Sequence, residues 1–185
     1  MSIVDGASDA ATRESRRMRL VLAFAAVAAC AAPANATCFR DCLGSRIAAT
    51  SDDIAIKDAA RTCREVCEAQ VRDGMEKNGT LAQLKSCRGE ELSLADLRKL
   101  RGETASYYVQ SNVFIWDFKN PFPDRAITKI EVSAQNMDLN EVSFTGTGLV
   151  PPAGEGVFVI PAFFDGYPAV RFAAKVRKVW ACPVK

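Results

Sequence analysis

The sequence predicts an α+β protein: a disulfide-stapled helical hairpin with further short helices, followed by a small antiparallel β-sandwich. Three observations predict it. Six cysteines follow the only long apolar run, and four of them form two C-x3-C pairs. Apolar residues recur every three or four positions up to about residue 104, then every second position from residue 105. Turn-forming clusters punctuate the second half at strand-and-loop intervals.

The composition excludes several classes. The 185 residues are 49% hydrophobic and 25% charged, with 24 Lys+Arg against 22 Asp+Glu. That is a globular balance, and a formal charge of +2 gives no field directed at nucleic acid. There is no histidine. Ser-His-Asp and Cys-His catalysis, c-type haem attachment and His-ligated metal sites are therefore outside its chemistry.

Residues 1–36 read as a signal peptide with an N-terminal extension. Arg16, Arg17 and Arg19 precede the apolar stretch Leu20–Ala32, and Ala34-Asn35-Ala36 supplies the small residues of a cleavage site. The stretch is shorter than the ~20 residues needed to span a bilayer. No transmembrane span is expected in the mature chain, which would begin at Thr37. A second reading places lipidation at Cys30, because Val27-Ala28-Ala29-Cys30 resembles a bacterial lipobox. Both readings lead to export.

With Cys30 set aside, Cys38, Cys42, Cys63, Cys67, Cys87 and Cys182 remain. An even number in an exported chain reads as a disulfide framework. Positions i and i+4 share a helix face, so each C-x3-C presents two sulfurs to one side. Antiparallel helices bring together positions of constant index sum, a condition met by Cys38 with Cys67 and Cys42 with Cys63. The midpoint falls in Thr50-Ser51-Asp52-Asp53, a polar turn suited to starting a helix. Zinc is the competing use of four paired cysteines, but its usual spacing is C-x2-C. By elimination Cys87 pairs with Cys182. Closing a loop of about 100 residues is worth roughly 4 to 5 kcal/mol in the chain-entropy picture.

Residues 37–104 form the helical region. Asp53–Glu76 carries Ile56, Ala60, Cys63, Cys67 and Val71 as an apolar stripe, and Asn78-Gly79 ends it. A short segment spans Leu81–Cys87. Ser93-Leu94-Ala95-Asp96 resembles a capping box, opening a helix that Gly102 is expected to stop. Residues 38–104 hold 12 basic and 12 acidic side chains, as expected of solvated helix faces.

Residues 105–185 form the β-region. Phe114, Trp116 and Phe118 alternate with Val113, Ile115 and Asp117. Further alternating runs follow around Ile130–Ala134, Val142–Phe144 and Val170–Val176, with the continuous apolar run Val157–Ile160 among them. Asn120–Asp124, Asn136–Asn140, Pro151–Gly154 and Asp165-Gly166 break them. Five or six such strands imply a sandwich of broadly immunoglobulin-like architecture, although the inter-sheet cysteine pair of antibody domains is absent. Carried onward, the even positions of the last strand place Trp180 and Cys182 on its inward face.

Signals for chemistry are few. Gly146-Thr147-Gly148 lacks the Lys and following helix of a phosphate loop and reads as a turn or bulge. Asp52, Asp53, Glu90, Glu91 and Asp138 are oxygen donors without EF-hand spacing. Asn78-Gly79-Thr80 matches a glycosylation sequon. Arg171, Lys175 and Arg177 form a basic ridge, suited either to an anionic partner or to edge-strand protection. No catalytic residue, cofactor, metal or nucleic-acid partner is expected. The reading is an exported, disulfide-stabilised, non-enzymatic binding or structural protein, periplasmic or secreted, or else membrane-anchored through Cys30. Its partner would be another envelope protein or a membrane surface. The alternatives are a histidine-free envelope hydrolase, an accessory subunit of an envelope enzyme, or a secreted inhibitor.

Overall fold

Local sequence explains where the helices begin and end. The computed structural model describes residues 35–104, 106–136, 138–163 and 173–184, so residues 1–34 of the expected leader, Cys30 among them, and Asp165-Gly166 and Arg171 lie outside the described residues. Helix α1 spans Asn35–Arg46 and α2 spans Asp53–Lys77. The Asp52 carboxylate caps α2 by accepting from the Ala55 N–H at 2.8 Å, satisfying one of the orphan donors of its first turn. Beyond Lys77 the chain turns through Gly79 at φ +80°, a left-handed conformation that glycine adopts without strain. Two disulfides join α1 to α2, Cys38–Cys67 and Cys42–Cys63, with Cα–Cα distances of 6.0 and 5.6 Å.

Two shorter helices follow, α3 at Thr80–Leu84 and α4 at Leu94–Glu103. Ser93 caps α4 by accepting from the Asp96 N–H. Gly102 does not stop this helix. It sits within the last turn, and the ladder closes only when the Thr104 N–H reaches the Leu100 carbonyl at 3.1 Å. Leu97 and Leu100 are buried, so packing outweighs the modest helix penalty of one glycine.

The strands are β1 (Glu90–Glu91), β2 (Tyr108–Gln110), β3 (Val113–Lys119), β4 (Arg125–Gln135), β5 (Glu141–Val150), β6 (Glu155–Ile160) and β7 (Lys175–Pro183). They form two antiparallel sheets, a four-stranded one ordered β1-β7-β4-β5 and a three-stranded one ordered β2-β3-β6. The fold is mixed helix and sheet. A common core joins the sheets: Phe114, Trp116 and Phe118 of β3 and Phe158 and Ile160 of β6 meet Ile130 and Val132 of β4 and Val176 and Val179 of β7. Gly146 and Gly148 lie inside β5, beside a register irregularity opposite Ile127–Lys129. A Cβ at Gly148 would stand 2.9 Å from the Phe158 ring, and one at Gly146 would stand 3.1 Å from both Ile130 and Ile160. The missing side chains make room for the core of the opposite sheet.

The three-stranded sheet is covered on its other face as well. Val113, Ile115, Val157 and Val159 pack against Phe39, Leu43, Ala59, Ala60 and the stapled cysteines. The alternation in β3 therefore separates two buried faces. Ser111 and Asn112, both at positive φ, make the two-residue turn between β2 and β3 that suits strand twist.

One expectation about the last strand is corrected. Glu131 pairs with Lys178 and Val132 with Val176, which leaves Arg177 as an extra residue in β7. A bulge moves every later side chain to the other face. Val179 and Ala181 thus enter the shared core, whereas Trp180 and Cys182 face away from it. The third disulfide, Cys87–Cys182, closes a separation of 95 residues on that outer side.

Candidate functional site

The outer face of the four-stranded sheet carries a cavity of about 360 Å³ between α2 and the segment after α3. Its floor is sheet: Lys129 from β4, Thr147 and Gly148 from β5, Trp180 and Cys182 from β7. Its walls bring Glu68 and Arg72 from α2, and Cys87, Arg88 and Gly89 from the connecting segment. The cavity lies where strand pairing is irregular. Thr128 is an extra residue relative to β7, as Arg177 is relative to β4, and such bulges re-aim side chains.

Three cations converge there from three elements. Arg72 is tethered by Glu68, one helical turn away, at 2.6 Å. The Lys129 ammonium lies 3.6 Å from the centroid of the Trp180 ring, a cation–π contact that fixes the charge over the floor. Arg88 is exposed on the opposite rim. Gly89, at φ +71°, lets the chain pass beside Trp180 before entering β1. The Cys87–Cys182 bridge lines the same cavity and ties the connecting segment to β7.

In two other cavities the arginines are committed to neighbouring groups. One of about 310 Å³ is lined by Arg101, Tyr107, Trp116 and Lys175. There Arg101 donates to the Val176 carbonyl at 2.6 Å, and the Tyr107 hydroxyl donates to the Ala174 carbonyl. The other, about 300 Å³, gathers Glu90, Glu91, Asp96 and Asp124 around Arg125. Arg125 bonds Asp124 at 3.1 Å and Asp96 at 3.2 Å, and its hydrogen bond holds the Asp124 carboxyl below its ordinary pKa.

An ion pair between an exposed arginine of α1 and a buried aspartate lies under that helix. Asp117 on β3 is only 7% exposed, and Arg40 grips one of its oxygens from Nε at 2.9 Å and from Nη2. The other oxygen is buried with no hydrogen-bond partner. This pair raises the Arg40 pKa, chiefly through the hydrogen bond, while burial and then Asp117 raise that of Tyr108.

The predicted residues fall in separate places. Cys38, Cys42, Cys63 and Cys67 join the helices, and Cys87 and Cys182 line the cavity. Lys175 is exposed. Arg177 is committed, since its Nε donates to Ser133 Oγ at 2.8 Å and its Nη2 pairs with Glu141. The Ser133 hydrogen bond, then Arg177, lower the Glu141 pKa. Among the described residues no cluster of three or more Cys, Asp or Glu could hold a metal ion, and no helix is long and apolar enough to cross a membrane.

The three cavity cations escape sequence reasoning because each sits in an unremarkable, charge-balanced stretch. The one local signal is Arg88 beside Cys87, which a bridge to Cys182 carries to the foot of β7. No protein-family model, curated protein or solved structure matches this chain.

Proposed function

We propose that this is an exported, disulfide-stabilised binding protein of the periplasm or cell envelope, without catalytic chemistry of its own. Its ligand site is the cleft over Trp180. The observation that carries this reading is the convergence of Arg72, Arg88 and Lys129 on one concave surface. Among the described residues that line it, Glu68 alone opposes them, and it is already engaged with Arg72. Rigidly held charges of one sign raise the local concentration of an oppositely charged partner. Export is supported by the leader-like residues 1–36 and by three disulfides, which persist outside reducing compartments. In this reading the two sheets are an immunoglobulin-like sandwich, and α1 with α2 is the stapled hairpin that backs it. The partner is another envelope protein or the membrane surface.

A second reading, attachment to the membrane through a lipidated Cys30, is favoured by Val27-Ala28-Ala29-Cys30. Mass spectrometry of the protein from its native host decides between them. Cleavage before Thr37 is expected of the soluble form and a diacylated Cys30 of the anchored one. An intact leader with free thiols overturns export. The binding role is tested by placing a photo-crosslinking residue at Thr147, on the cleft floor, with Asp58 on the exposed face of α2 as control. A discrete adduct from position 147 alone is expected; the same adducts from both positions, or none, overturn the reading.

A further inference from the structure

The geometry points to a phosphate monoester as the group this cleft takes, an inference that rests on the binding role proposed above. Charge comes first. Arg72, Arg88 and Lys129 against Glu68 leave a formal excess of two positive charges. A phosphate monoester carries about −1.5 to −2 near neutral pH, whereas a carboxylate carries one charge and is satisfied by one guanidinium.

Donor geometry comes second. The Glu68 contact at 2.6 Å uses one terminal nitrogen of Arg72 and holds the guanidinium in place, leaving its remaining N–H groups for a ligand. The Trp180 ring holds Lys129 through the side of its ammonium that faces the ring, leaving the N–H donors on the other side for a ligand. Arg88 adds a second planar fork from the opposite rim. The side chains of Thr128 and Thr147 supply hydroxyls on the floor. Donors on several sides suit the tetrahedral spread of phosphate oxygens better than a planar carboxylate.

Size comes third. A phosphate group occupies about two to three water volumes, on the order of 30 Å³ each. A cavity of about 360 Å³ therefore leaves space for the esterified substituent, so an ester fits better than the free ion. A soluble phosphate ester and a lipid headgroup share this chemistry.

The test uses the oxidised full chain, with glycerol 1-phosphate as the soluble probe and phosphatidic acid in phosphatidylcholine vesicles as the lipid probe. Glycerate serves as the carboxylate comparison. Calorimetry and the fluorescence of Trp180, one of two tryptophans, report binding. Saturable one-to-one binding of the glycerol phosphate is expected, weakening with salt and severalfold weaker at about pH 5.5 than at about pH 7.5, because the second phosphate ionisation lies near pH 6. The chain has no histidine to titrate in that interval, so such a change reports the ligand. Arg88→Gln and Lys129→Gln should each weaken binding by about tenfold or more, as losing a charge-assisted hydrogen bond does. Arg98→Gln, on the exposed side of α4, should leave it unchanged. Arg88 is exposed, so its variant keeps the fold, and an unaltered thermal transition confirms that.

Binding to vesicles and not to glycerol phosphate assigns the group to a lipid, and the reverse assigns it to a soluble ester. Equal affinity for glycerate, no pH dependence, indifference to both variants, or no binding of either phosphate probe overturns the inference. A position-147 adduct alongside any of these leaves the binding role standing and the phosphate assignment alone refuted.

Discussion

The two sheets of this molecule are treated in opposite ways. The β2-β3-β6 sheet is buried on both faces, by the other sheet on one side and by the cystine-linked helices on the other. Its charged intrusion, Asp117, is neutralised at once by Arg40. The β1-β7-β4-β5 sheet is buried on its inner face, while its outer face is covered only in part, where Val71 and Met75 of α2 meet Ala126 and Leu149, and beside that contact keeps exposed cations and a cavity. The same strand chemistry thus makes a fully buried layer in one sheet and a partly exposed, charged face in the other. Covering a face fully with helices buries it; covering it in part leaves a cavity whose rim keeps its charges exposed.

That contrast can be broken in order of expected effect. Replacing Cys87 and Cys182 together by Ser should cost the most, roughly 4 to 5 kcal/mol for a loop near 100 residues, read from urea unfolding. Loss of Cys42–Cys63, which closes a separation of 21 residues, should cost about 3 kcal/mol. Equal losses would mean that native strain, not loop size, sets the values. Next comes the seam between the layers. Gly148→Ala puts a methyl group 2.9 Å from the Phe158 ring and should destabilise by about 1 to 3 kcal/mol. Gly102→Ala, with open space around it, should be neutral or slightly stabilising.

Smaller still is the scaffold's own ion pair. Arg40→Ala leaves the buried Asp117 carboxylate without its partner and should cost about 1 to 2 kcal/mol, since Arg40 is itself 64% exposed. Asp117→Asn in the same chain should recover part of that loss. A double-mutant cycle with no coupling would show that the pair contributes nothing. The least effect belongs to the open face. Glu141 titrates below its ordinary value of 4.5 because Ser133 and Arg177 favour its ionised form. Below that value the unfolded chain takes up a proton first, so this contribution is present at neutral pH and lost as pH falls through the folded pKa. Glu141→Gln should flatten the acid limb of the stability curve just below pH 4.5, and an unchanged limb would place the acid sensitivity elsewhere.

Much of the covalent frame is legible in the chain because it is local. Cysteines four apart on a helix must share a face, and the bridges Cys38–Cys67 and Cys42–Cys63 are the pairs of equal index sum. The change of hydrophobic period likewise marks where helices give way to strands. Three features escape such reading for physical reasons. Two consecutive glutamates at β1 carry no alternation, since that strand exists only through pairing with Trp180 and Ala181. The bulge at Arg177 inverts the parity of everything after it, and the backbone pays no visible sequence cost for doing so. The candidate site is the least legible, because Arg72, Arg88 and Lys129 meet only after a helix, a connecting segment and a sheet have been brought together.

The 95 residues between Cys87 and Cys182 have a consequence for biogenesis. The two helix cross-links need only the first 67 positions and can be sealed while the remainder is still being synthesised. The third must wait for the far end of the sheet. A chain interrupted before that point can complete its clip but never the cleft that Cys87 and Cys182 line, so an intact cleft marks an assembly that has run to its end.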